Sequence, residues 1–159
     1  MSQATPTPTL QDAPFFPDSS LSRWDRAKQS FWRFIFPIFP YVRDVGLKLR
    51  IIRHTVARQD FHIGYLAPGR TAQELEAHLQ REGFDNDGVA WIDDGEVVGL
   101  RRRVNFKYQY HLRLFKDGEL RGHYELTPEC NPIAHLAEWD FQDRTDEFLE
   151  FLDGWVGSE

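Results

Sequence analysis

From Phe106 to Leu126 the chain follows a side-chain period of two, broken once by a turn. Phe106, Tyr108, Tyr110, Leu112 and Leu114 alternate with Lys107, Gln109, His111 and Arg113. After Lys116-Asp117-Gly118 the alternation resumes, with Leu120, Gly122, Tyr124 and Leu126 against Arg121, His123 and Glu125. Such a pattern on both sides of an Asp-Gly turn dictates a half-buried antiparallel hairpin. No other stretch restricts the fold as tightly.

The register follows from the turn. A two-residue Asp117-Gly118 turn would set Leu114 opposite Arg121 and mix apolar with charged residues on each face. A three-residue loop, with Gly118 left-handed in a bulge, pairs Phe115 with Glu119 instead. Leu114 then faces Leu120, Leu112 faces Gly122, Tyr110 faces Tyr124 and Tyr108 faces Leu126. One face becomes wholly apolar or aromatic, and burial selects this register, because a one-residue slip turns every side chain of a strand over. On the other face Arg113 lies opposite Arg121, His111 opposite His123, and Gln109 opposite Glu125.

Around this hairpin the 159 residues have room for one modest core plus an extension. Thirteen Phe, five Trp and five Tyr supply that core amply. The single cysteine, Cys130, excludes an intrachain disulfide and any multi-cysteine metal site, and it accords with a reducing compartment. No apolar run approaches the roughly 20 residues of a membrane-spanning helix. Gln3 to Asp18 lack a basic start and an apolar run, so secretion is not indicated. The expected location is the cytoplasm, with or without peripheral attachment to a membrane.

Charge divides the chain. Residues 21–58 hold nine Lys or Arg against two Asp, whereas residues 59–159 hold ten against twenty-one Asp or Glu. A basic segment beside an acidic domain either meets an anionic surface or docks on its own domain.

Three segments are expected: a disordered tail over 1–18, a basic aromatic helical extension over 19–58, and a compact α+β domain over 59–159. Ser22 with Asp25 starts a helix, which Pro37 and Pro40 end. Val42, Val45, Leu49, Ile52 and Val56 line one face of a second helix over 41–58. Phe61, Ile63, Tyr65 and Ala67 alternate as a strand. Thr71 with Glu74 forms a capping box, and Ala72, Leu75 and Leu79 line a helix that Gly83 stops. Val89–Asp93 and Glu96–Arg102 form a second hairpin around Asp94-Gly95. Asn131 to Asp140 reads as loop with a short helical turn. Asp143 caps a final helix carrying Phe148, Leu149, Phe151, Leu152 and Trp155. Strand, helix, four meandering strands and helix give an antiparallel four- to five-stranded sheet with helices on one face, preceded by a helical extension.

The polar hairpin face is one candidate site. His111, His123 and Glu125 are its acid and base groups, and imidazoles titrate near neutral pH. Arg113 and Arg121, with Arg101 and Arg103 from the neighbouring strand, would hold an anion such as a phosphate. Like charges facing each other on a sheet invite a counter-charge. The same residues equally make a solvated outer face, or one covered by the N-terminal segment, and that reading ranks ahead of catalysis. A metal at His111 and His123 would need Glu125 or a remote histidine as third ligand. None is assigned, and no cofactor is expected. Asp85-Asn86-Asp87-Gly88 reads as a β-turn rather than a calcium loop, and Cys130 as an incidental loop cysteine.

The other candidate is the first helix. Trp24, Ala27, Phe31, Phe34 and Ile35 on one arc with Trp32 at its edge, against Arg23, Arg26 and Arg33, have the composition of a helix lying in a membrane interface. Packing on its own domain, or on a second copy in a homodimer, would use the same face. The acidic bulk of the domain argues against nucleic acid. The expected function is therefore a non-catalytic binding module whose extension engages an anionic membrane surface or a protein partner. The alternative is a small enzyme acting on a phosphate-containing substrate through His111, His123, Arg113 and Arg121.

Overall fold

The computed structural model describes residues 18–35, 60–86, 93–131 and 141–157, together with 37–38, 41, 45 and 48–49. Among these, three α-helices and six strands follow in the order α1 (Arg23–Ile35), β1 (Phe61–Leu66), α2 (Ala72–Arg81), β2 (Asp85–Asn86), β3 (Glu96–Arg103), β4 (Tyr108–Phe115), β5 (Glu119–Leu126), α3 (Thr145–Phe151) and β6 (Val156–Gly157). The class is α+β, built on one antiparallel sheet of order β2-β3-β4-β5-β1-β6.

Strands β4 and β5 adopt the bulged register. Leu114 pairs with Leu120, Leu112 with Gly122, Tyr110 with Tyr124, Tyr108 with Leu126, and His111 with His123. Gly118 has φ +88°, and its N–H donates to Phe115 O at 2.9 Å, closing the loop. The apolar face carries the core: Val98, Leu100, Leu112, Leu114 and Leu120 meet Leu75 and Leu79 of α2 and Phe148 and Leu152 at the end of the chain. Each such side chain contributes about 1.5–3 kcal/mol by leaving water. Gly122 is small because Phe148 fills its place, and a Cβ there would lie 2.8 Å from that ring.

The helix termini follow local chemistry. Thr71 Oγ1 accepts from Glu74 N, and Glu74 Oε2 accepts from Thr71 N at 2.9 Å, completing the capping box of α2. Ser22 Oγ accepts from Asp25 N at 3.1 Å, one residue before α1 begins.

Several expectations are corrected. The chain reaches the sheet earlier than Val89: Asp85 and Asn86, read as a turn, pair with Arg101 and Leu100. A bulge between His62 and Gly64 breaks the alternation of β1, so Ile63 is buried and Tyr65 turns outward. Strand β1 pairs with β5 and lies inside the sheet, with the unforeseen β6 beyond it. Asp143 lies one residue ahead of the α3 N-cap, Arg144, and accepts instead from Thr145 N at 2.9 Å. The expected helix over 41–58, the strand arm over 89–92 and the loop over 132–140 fall mostly or wholly outside the described residues.

Candidate functional site

The second face of the sheet is also an interior. His123, Gln109, Glu125 and Arg113 are fully buried, His111 and Arg101 almost so. This differs from the open surface that hairpin alternation implies. The expected hydrophobic-in, polar-out sheet has a polar layer inside, and a buried polar layer must satisfy itself.

It does so with carboxylates from outside the hairpin. Arg113 Nη1 donates to Asp60 Oδ2 at 2.9 Å and also to Asp93, while its Nε lies 3.7 Å from Glu96 Oε2. Asp60 precedes β1 and also accepts from His123 Nδ1. Gln109 Nε2 donates to Glu125 Oε1 at 2.8 Å. Glu125 lies between the imidazoles, its oxygens 3.5 Å from His123 Nε2 and 4.0 Å from His111 Nδ1. Arg101 reaches Gln109 and Glu129, each at 3.4 Å, and Arg103 reaches Glu129 at 3.5 Å. The ring of Phe141 stacks flat on His123, 3.7 Å between centroids.

The candidate residues therefore separate. His111, His123 and Glu125 are brought together, with the two rings 5.1 Å apart and edge-to-face. Arg113, Arg101 and Arg103 each pair with acids of the same chain. Arg121 turns toward the sheet's end, where it bonds Glu119 and covers the Phe115 ring, its side chain 40% exposed. The facing arginines thus resolve their repulsion by parting, and their counter-charges are internal. Asp60, Asp93, Glu96 and Glu129 were not anticipated. One signal for Glu96 is Gly99, which pairs with Arg113: a Cβ at Gly99 would meet Glu96 Oε1 at 2.1 Å. The missing side chain makes room for the carboxylate.

Burial and charge set the protonation states. For His123, burial pushes the pKa down, but hydrogen bonds to Asp60 and Glu125 outweigh it and the pKa rises. Arg113 is likewise opposed by burial, and raised on balance by Asp60, Glu96 and Asp93. Burial lifts Glu96 to about 7 against the pull of Arg113. On the apolar side Tyr110, partly buried and bonded to Glu147, is pushed up to about 12.

Helix α1 presents the other candidate. It rests on Gln29 and Trp32, both buried, and Lys28 Nζ donates to Cys130 O at 3.1 Å. Trp32 is therefore a docking residue rather than part of the open face, and Ile35 is half-buried. The rest of the aromatic arc faces outward: Trp24 is 71% exposed, Phe31 58% and Phe34 71%. Arg23, Arg26 and Arg33 flank it, all exposed. None of the described helices is long and apolar enough to cross a membrane.

No known family model, curated protein or solved structure matches this chain.

Proposed function

We propose that this protein is a non-catalytic binding module that attaches peripherally to an anionic membrane surface through the aromatic face of α1. One observation carries the reading: Trp24, Phe31 and Phe34 lie outward while the helix docks through a different side. Together they expose roughly 400 Å² of aromatic surface, comparable to the largest apolar patch of an ordinary monomer, which is often functional. The basic residues beside it favour anionic headgroups, and aromatic side chains suit the interfacial depth. A reducing, cytoplasmic setting is in keeping with a lone cysteine.

The alternative, a phosphate-acting enzyme, has less support. Its imidazoles are neighbours, but Arg113 is held by three carboxylates of its own chain and the face is closed. An anion entering there would have to displace all three.

Flotation of the full chain with vesicles tests the reading. Vesicles rich in phosphatidylglycerol should carry the protein, and neutral ones should not. The Trp24→Ser/Phe31→Ser/Phe34→Ser variant should keep its fold and lose binding at least about tenfold, since each buried aromatic is worth 1.5–3 kcal/mol. A wild-type chain that ignores anionic vesicles would remove the membrane reading. A wild-type dimer that this variant dissociates would assign the face to a second copy.

A further inference from the structure

We propose that His111, His123 and Glu125 bind one divalent transition-metal ion within the polar layer of the sheet. The three side chains offer ligand atoms that all lie within 4.8 Å of one another, and all three are buried. Ligands around a metal with bonds of about 2.0–2.2 Å sit roughly 3.3 Å apart. The His123 Nε2 to Glu125 Oε2 separation is already 3.5 Å, whereas His111 Nδ1, 4.0 Å from Glu125 Oε1, has to move inward to close the site.

The surroundings have the form of a metal centre. Register holds the donors on paired strands: His111 faces His123 across the ladder, and Glu125 follows on the same side of β5. His123 donates its Nδ1–H to Asp60, which fixes the ring with Nε2 turned toward Glu125. A carboxylate on the remote nitrogen is the usual support of a metal-binding histidine. Gln109 orients Glu125 through its Oε1. Among the described groups of this layer, Arg101, Arg103 and Arg113 stand against Asp60, Asp93, Glu96, Glu125 and Glu129. The acids of this layer outnumber its arginines five to three, a balance that favours a cation over an anion.

The chemistry selects the ion. Two imidazole nitrogens and one carboxylate suit zinc, iron(II) or cobalt(II), whereas calcium and magnesium prefer all-oxygen sites. Because the donors are enclosed, loading accompanies folding.

The test uses the full chain, unfolded with chelator and refolded with excess Zn(II) or Co(II), then desalted. Elemental analysis should find one metal per chain, and the Co(II) form should show ligand-field bands without thiolate charge transfer. Excess Mg(II) should not compete. His111→Gln and His123→Gln should each weaken binding at least tenfold, and Cys130→Ser should leave it unchanged. Glu125→Gln retains an oxygen for the Gln109 hydrogen bond while losing the charged ligand, and it too should bind at least tenfold more weakly. A refolded wild-type chain without stoichiometric metal overturns the proposal whatever the variants do. So does full occupancy in a folded Glu125→Gln chain, or a site that disappears with Cys130.

Discussion

Arg113 shows how much one residue organises here. Its guanidinium meets Asp60, Asp93 and Glu96, so removing it leaves three acids near one another in a closed layer. Arg113→Met should cost about 3–5 kcal/mol at neutral pH, the usual penalty for breaking a buried ion pair by deleting one partner. The loss should shrink in acid, where the carboxyls take up protons; an equal loss at pH 4 and pH 7 in urea titrations would contradict this. Glu96 makes a second prediction at the same scale. Its folded pKa, about 7, lies above the ordinary carboxylate value. The stability that its neutral form permits is therefore complete below the unfolded pKa, near 4.5, and is lost as pH rises through about 7. Relative to wild type, Glu96→Gln should gain stability from pH 5 to pH 8, by up to about 3 kcal/mol. Parallel pH profiles for the two chains would refute that assignment.

At the scale of elements, the hairpin was legible and its surroundings were not. Alternation together with an Asp-Gly turn specifies a register, because every wrong pairing puts leucine opposite arginine on a buried face. The capping box at Thr71 and Glu74 was legible for a similar reason: the partners are three residues apart and need nothing else. Asp85-Asn86 pairing with β3, the bulge in β1 and the addition of β6 depend on contacts with distant segments, which no local pattern records. The two glycines of the hairpin should separate local from tertiary cost. Gly118→Ala meets nothing within 4 Å and should cost about 1–2 kcal/mol through its left-handed backbone alone. In Gly122→Ala the new methyl meets Phe148, Ile63 and the His111 carbonyl, and overpacking there should cost about 1–3 kcal/mol. A Phe148→Leu background should relieve the second loss and leave the first unchanged.

Across the whole molecule, polarity is inverted relative to a simple two-layer α+β fold. The sheet's polar face is enclosed, while α1 leaves Trp24, Phe31 and Phe34 in water. Periodicity identified both sets of residues as faces but could not say which way each would turn. Alternation reports that two sides differ, and only the rest of the fold decides what covers them. On the polar side the charges of the arginines are met within the chain by Asp60, Asp93, Glu96 and Glu129. Enclosure of this side separates a metal-holding interior from an open anion site, and histidine modification reads it directly. Diethylpyrocarbonate applied to the native chain, followed by peptide mass spectrometry, should label His62, whose side chain is 48% exposed, and spare His111 and His123. Labelling of His111 and His123 at the rate of His62 in folded protein would contradict the enclosed polar layer.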